Sequence, residues 1–123
     1  MTIEQAIRTA DILKPNKFDE DIKVMWLSNF DTQVADEVIR KHEDTKNFHF
    51  SGYNEATDRE KELLIPAPYD ELYVPYLQSK MDLYNQDYER YNSSTAAYYA
   101  IYSNYTAYYN REHLPICTGI KVI

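Results

Sequence analysis

The sequence predicts a mostly α-helical fold, a small bundle of about four helices followed by an extended C-terminal tail. Two observations lead there. Only two glycines, Gly52 and Gly119, occur in 123 residues, too few for the closely spaced turns of a sheet-rich chain. Nine of the 13 tyrosines fall between Tyr84 and Tyr109, most of them on one stripe. Stepping from Leu77, the stripe passes through Met81, Tyr84, Tyr88, Tyr91, Thr95, Tyr98, Tyr102, Tyr105 and Tyr109. Its spacings alternate between four and three, the period of a helix and not of a strand.

Each element has its own local justification. Thr2 and Gln5 form a capping box that opens a short first helix, with Ile3, Ala6, Ile7, Ala10 and Leu13 as its apolar face. Pro15 closes it. A second helix is expected from about Phe18 to His42. Asp19, Glu20 and Asp21 favour its N-terminal dipole, and Arg40, Lys41 and His42 its C-terminal one. Its expected buried positions are Ile22, Met25, Trp26, Phe30, Val34, Val38 and Ile39. Residues 43–62 are polar and read as a loop pinned by Phe48, Phe50 and Tyr53, with a small hairpin at Phe48-His49-Phe50 as the alternative. Two prolines keep residues 63–68 extended.

Asp70 is a candidate cap for a third helix running to about Tyr91, with Pro75 near its start. Asn92-Ser93-Ser94 then offers a stop and a new cap. The alternative is one unbroken helix to about Glu112. Domain size favours an antiparallel hairpin, which lets the two tyrosine faces pack on each other. Residues 1–115 form a single helical domain by length. Residues 116–123 form an apolar tail in which Ile116, Ile120, Val122 and Ile123 are too hydrophobic to stay unpartnered. The tail is expected to dock on its own body or on a neighbouring chain.

Composition narrows the function. A net charge of −7 disfavours binding to phosphate backbones, which cationic side chains supply. A lone cysteine, Cys117, leaves no intrachain disulfide to form and suits a reducing cytoplasm. No apolar run approaches a membrane span, and no signal peptide is evident, so the expectation is a soluble chain made in the cytoplasm.

No catalytic constellation is evident. His113 and Cys117 are four apart, but Pro115 breaks the helix that would align them. His42 and His49 lack partners at metal-ligand spacing, and a single thiol supplies no zinc set. Pairs such as Asp19 with Asp21, or Asp58 with Glu62, read as caps or solvated surface. No glycine-rich phosphate loop is present. Neither cofactor nor metal is expected. The tyrosines are either a helix–helix core with hydroxyls at its rim or a surface between subunits, where tyrosine is enriched. Tyr84, Tyr88, Tyr91, Tyr98, Tyr102, Tyr105 and Tyr109 are the subunit-interface candidates.

Three stretches carry a family look. They are Leu64-Ile65-Pro66-Ala67-Pro68-Tyr69-Asp70-Glu71-Leu72-Tyr73, Tyr84-Asn85-Gln86-Asp87-Tyr88-Glu89-Arg90-Tyr91-Asn92 and Tyr108-Tyr109-Asn110-Arg111-Glu112-His113-Leu114-Pro115. Together they resemble the head–tail connector, or adaptor, proteins of tailed phages and prophages of Firmicutes. The resemblance covers the C-terminal half well and the N-terminal helices only by pattern; Pro75 departs from it. It implies a non-enzymatic virion protein at the neck. Its copies, commonly twelve, would form a ring below the portal protein and extend the DNA channel. It would meet a downstream neck or tail protein, and DNA would pass without specific binding. The tail residues Ile116, Ile120, Val122 and Ile123 would then be the portal-docking element. A cytoplasmic helical module for protein interaction or regulation is the alternative, and a nucleic-acid-binding module would need a basic patch that is lacking.

The acidic balance makes a direct prediction. Purified chain should show no measurable affinity for duplex or single-stranded DNA in an anisotropy assay at moderate salt. Tight binding that weakens steeply with salt, as cationic contacts do, would contradict it.

Overall fold

A computed structural model describes residues 1–116. Four α-helices account for most of them: α1 (Ile3–Leu13), α2 (Glu20–Glu37), α3 (Tyr73–Tyr84) and α4 (Tyr88–Glu112). Single 3-10 turns at Ile39–Lys41 and Tyr69–Leu72 adjoin α2 and α3. Among the described residues there are no strands, only isolated antiparallel bridges between Thr2 and Glu62 and between His42 and Pro115. The hairpin alternative at Phe48-His49-Phe50 is therefore not adopted. Phe48 and Tyr53 instead pack on the core as loop anchors, and Phe50 sits edge-on against Tyr53.

The helices alternate in direction. Met1 lies beside Asp70 before α3 and Lys14 pairs with Asp82 near the end of α3, so α1 and α3 run parallel. Trp26 lies under Tyr84 while Phe30 meets Tyr73, which sets α2 antiparallel to α3. Ser94 bonds Asp82 and Tyr105 meets Tyr69, so α4 also runs against α3. α3 is the centre of the bundle. Tyr73, Val74, Tyr76, Leu77, Ser79, Met81 and Asp82 of its twelve residues are buried, the signature of a helix enclosed on several sides. Pro75 fits because it falls in the first turn, where its missing N–H leaves no bond unmade.

Thr2 caps α1 as the sequence implies, with Gln5 N donating to Thr2 Oγ1 at 3.1 Å and Thr2 N to Gln5 Oε1 at 2.9 Å. Ile3, Ala6, Ile7 and Ala10 are buried, but Leu13 is exposed in the last turn. α2 is shorter than 18–42. Its last bond runs from Val38 N to Val34 O, and the chain then tightens into a 3-10 turn. The β-branched pair Val38-Ile39 is poorly suited to prolong the helix.

Trp26, Phe30, Val34, Val38 and Ile39 are buried as expected, whereas Ile22 and Met25 face outward. Lys23, Val24 and Leu27 take the inner face instead. Val24 and Leu27 join the apolar core, and beside them Lys23 Nζ reaches Asp11 Oδ1 of α1 at 2.8 Å, so the buried lysine is paired.

The hairpin between α3 and α4 is present, but its turn is Asn85-Gln86-Asp87 and not Asn92-Ser93-Ser94. Gln86 takes a left-handed φ of 60°, and the side chain of Asp87 caps α4 by accepting from Arg90 N. Ser93 and Ser94 are absorbed into α4 because their hydroxyls bond Glu89 O and Asp82 Oδ2. α3 accordingly ends at Tyr84 and not Tyr91. Asp70 does not cap it either; its carboxylate is taken by the Met1 amino group at 3.0 Å, and α3 begins at Tyr73.

The long connection between α2 and α3 is tied down by one buried acid. Asp31, in the middle of α2, has no exposed surface. Its Oδ1 accepts from the Tyr73 hydroxyl of α3 at 2.6 Å, and its Oδ2 accepts from Leu64 N at 3.0 Å and from the Tyr53 hydroxyl. Tyr73 in turn accepts from Ile65 N at 3.0 Å. Beside this network, Tyr53 N donates to Ser28 Oγ at 3.0 Å. The same hydroxyl would lie 2.7 Å from a Cβ at position 52, where φ is +93°, so only glycine serves there.

Burial pushes the Asp31 carboxyl above its ordinary range, against the lowering effect of the Tyr53, Tyr73 and Leu64 donors. A raised folded pKa favours the neutral acid in the fold. Its contribution to stability is complete below the unfolded value and is lost as pH rises through the folded one. Urea denaturation should therefore show wild type gaining on Asp31→Asn as pH falls from neutral to about 4. Asp31→Ala should cost about 3 kcal/mol at neutral pH, because Leu64 N and the Tyr73 hydroxyl are left buried without an acceptor. A change under about 1 kcal/mol would mean that the loop is held by other contacts.

Candidate interaction surfaces

The tyrosine stripe divides into two parts with different environments. From Tyr91 to Tyr109 it lies within α4 and faces the chain itself. Tyr105 and Tyr109 are buried, and Tyr98 and Tyr102 pack partly buried against the core. Phe30 of α2 is the hub, with ring centroids 4.6 Å from Tyr76, 6.0 Å from Tyr98 and 5.7 Å from Tyr102. The Tyr102 hydroxyl lies 3.4 Å from Glu37 Oε2, and the Tyr109 hydroxyl donates to Thr45 Oγ1 at 3.0 Å. Of the interface candidates, Tyr98, Tyr102, Tyr105 and Tyr109 are thus engaged within one chain. Their arrangement is the helix–helix core with hydroxyls at the rim.

Burial raises the phenol pKa of Tyr73, Tyr76, Tyr98, Tyr102 and Tyr105 above the ordinary tyrosine range, and for Tyr102 the Glu37 carboxylate adds to it. These hydroxyls stay protonated, and those of Tyr73, Tyr76 and Tyr102 donate to Asp31 Oδ1, Trp26 O and Glu37 Oε2. A groove of about 170 Å³ runs between Phe30, Tyr76, Tyr91, Tyr98 and Tyr102, with Lys80 at its edge. That is smaller than the usual pocket for a drug-sized ligand. Among the described residues no three His, Cys, Asp or Glu side chains gather closely enough to hold a metal ion.

The other part of the stripe turns outward. Tyr84 and Tyr88 flank the α3–α4 turn and are 61% and 59% exposed. Tyr84 lies flat over Trp26, with centroids 5.7 Å apart and planes within 3°. Ile12 and Leu13 at the end of α1, and Ile22 and Met25 at the start of α2, are also uncovered. These six are most of the eight large apolar side chains left exposed among the described residues. All six belong to one end of the bundle, where Lys14 meets Asp82 and Trp26 meets Tyr84. Aromatic and aliphatic side chains concentrated in this way mark a contact surface better than scattered ones do.

At the opposite end the chain leaves α4. His113 is its C-cap residue and stacks on Tyr109 at 3.9 Å, with Nδ1 2.6 Å from Asp44 Oδ2. His42 is buried beneath, its ring nitrogens 2.6 Å from Val38 O and 2.7 Å from Asn110 Oδ1. The following segment is zipped to the body: Glu43 N donates to Leu114 O and Ile116 N to Lys41 O, both at 2.8 Å. Ile116, the first residue of the expected docking tail, is therefore already paired with its own chain. Ile120, Val122 and Ile123, like Cys117, lie outside the described residues.

Comparison with protein-family models, curated proteins and solved structures finds no match in any of the three. The case for a function rests on the chain's own surfaces. Sequence reasoning overlooked the buried polar set of Lys23, Asp31, His42 and Asp82. A signal for one of them was present: Asp31 falls one helical turn from Leu27 and Val34 and next to Phe30, an acid set in an apolar stripe.

The division of the stripe is measurable. Tyr105→Ala should cost about 3 kcal/mol or more in chemical denaturation, as for other buried aromatic rings. Tyr88→Ala should change stability by no more than about 0.5 kcal/mol. Equal losses at both positions would show that Tyr88 is also buried in the free chain.

Proposed function

We propose that this chain is a structural protein of a tailed-phage virion, a head–tail connector whose copies form a ring below the portal and extend the DNA channel. One observation carries the reading. Six of the eight large apolar side chains left uncovered among the described residues belong to one end of the bundle, while residues 114–116, which precede the apolar C-terminal segment of the sequence, are paired at the other. A subunit with a docking element at each end suits a place between two other components, here the portal and the next neck protein. The sequence resemblance over residues 64–73, 84–92 and 108–115 supports the same reading, and the net charge of −7 suits a wall along which DNA slides without adhering.

In this reading the end bearing Ile12, Leu13, Met25, Tyr84 and Tyr88 meets a neighbouring neck component, and the segment beyond Ile116 attaches to the portal. The pairing of residues 114–116 with 41–43 fixes where that segment starts.

Removal of residues 117–123 tests this directly. The truncated chain should keep its helical circular dichroism and a melting temperature close to that of the full chain. Its co-sedimentation with portal-bearing capsids should be abolished. Normal attachment of a folded, truncated chain would refute the portal-docking role.

A further inference from the structure

Among the described residues the outward face of α4 has no partner, and its sequence is unusual for a solvated surface. From Tyr91 to Asn110 there is no charged side chain, although the chain carries 13 basic and 20 acidic residues elsewhere. Helix faces turned to water ordinarily carry charges. At 3.6 residues per turn, positions three, four, seven and eleven away from a chosen residue return to its face. With Ala100 as the centre, Ala97 and Ser103 lie three away, Ala96 and Asn104 four away, and Ser93 and Ala107 seven away. All seven are exposed. Eleven away stand Glu89 on one side and Arg111 on the other, both exposed. Read outward from Ala100, the face carries small uncharged side chains on both sides and opposite charges at its two ends.

We propose that α4 packs antiparallel against α4 of a second copy of this chain, about a two-fold axis at Ala100. Such an axis sets Glu89 of each copy against Arg111 of the other, giving two ion pairs by symmetry. A parallel arrangement would set Glu89 on Glu89 and Arg111 on Arg111. Two copies of net charge −7 repel, and this is a long face on which they meet without burying an unpaired charge. The small side chains let the helix axes approach to the lower part of the usual range of about 8–10 Å. Tyr99, 53% exposed and stacked on Tyr98, stands at the margin of the face near the axis, where it covers the partner's helix.

The length from Glu89 to Arg111 is about 33 Å at 1.5 Å per residue. A single helix pair of that length buries on the order of 1,000 Å² in total, the low end for a specific complex. The dimer is therefore a weak one, with a dissociation constant on the micromolar scale. The contact is isologous and closes at two copies. It describes the free chain in solution and holds or fails independently of the neck reading.

Sedimentation velocity of the full chain, with Cys117 kept reduced, between about 1 and 200 µM tests the proposal. A monomer–dimer equilibrium is expected. Ala100→Glu brings two like charges together at the axis and should raise the dissociation constant at least tenfold with unchanged helicity. Glu89→Arg and Arg111→Glu should each weaken the dimer several-fold, and the two exchanges combined in one chain should restore wild-type affinity. If Ala100→Glu lowers helicity, the exchange pair decides alone. A chain that stays monomeric throughout overturns the proposal, as does a dimer that the combined exchange fails to restore. Larger rings that survive a folded Ala100→Glu variant also overturn it, while leaving the neck reading intact.

Discussion

The fold depends on a carboxylate buried in the middle of α2. Asp31 accepts hydrogen bonds from three places that are far apart along the chain: Tyr53 in the long loop, Leu64 in the extended segment and Tyr73 at the start of α3. A connection of about thirty residues without regular structure is a large entropic liability in a small domain. Asp31 converts that connection into a fixed layer, because it supplies the acceptor for the buried Tyr73 hydroxyl and for the half-buried Tyr53 hydroxyl and Leu64 N at once. The burial that raises its pKa is also what makes its bonds strong, since little solvent competes for them.

The consequence extends to α3. Tyr73 is oriented by Asp31 and by Ile65 N, and this sets the helix that α1, α2 and α4 all pack against. With α3 enclosed, α4 is left as the outer member. It buries only Tyr105 and Tyr109 fully among 25 residues, so one side of it forms core while the other is free. That free side is uncharged from Tyr91 to Asn110, and separately the end where α1, α2 and the α3–α4 turn meet leaves Ile12, Leu13, Ile22, Met25, Tyr84 and Tyr88 exposed.

Much of the architecture was legible in order along the chain. Thr2 and Gln5 announce α1, the four-and-three spacing of the tyrosines gives the inward face of α4 from Tyr91 to Tyr109, and Trp26 and Phe30 are recognisable as core. The errors have a common origin. Ile22, Met25 and Leu13 are apolar and so are expected inside, yet α2 buries Val24, Leu27 and the Asp11-paired Lys23 instead, and Leu13 is exposed in the last turn of α1. Asn92-Ser93-Ser94 has the composition of a break, but serine hydroxyls that find partners in the helix and on Asp82 remove the reason to break. The tyrosine stripe continued across the true turn because Asn85–Asp87 happens to preserve its spacing, and periodicity carries no information about direction reversal.

The sequence by itself determined the helical class, the Thr2 cap of α1 and much of the apolar periodicity, because these depend on residues within a few positions of one another. It also determined the absence of charge between Tyr91 and Asn110, although packing decides which side of that stretch is outward. Only the tertiary structure decided that Tyr98, Tyr102, Tyr105 and Tyr109 belong to the core while Tyr84 and Tyr88 do not. It alone showed the role of Asp31, whose partners lie 22, 33 and 42 residues away. The physical reason is range. Local preferences are written in neighbouring side chains, whereas burial and the pairing of buried polar groups exist only once distant segments have been brought together.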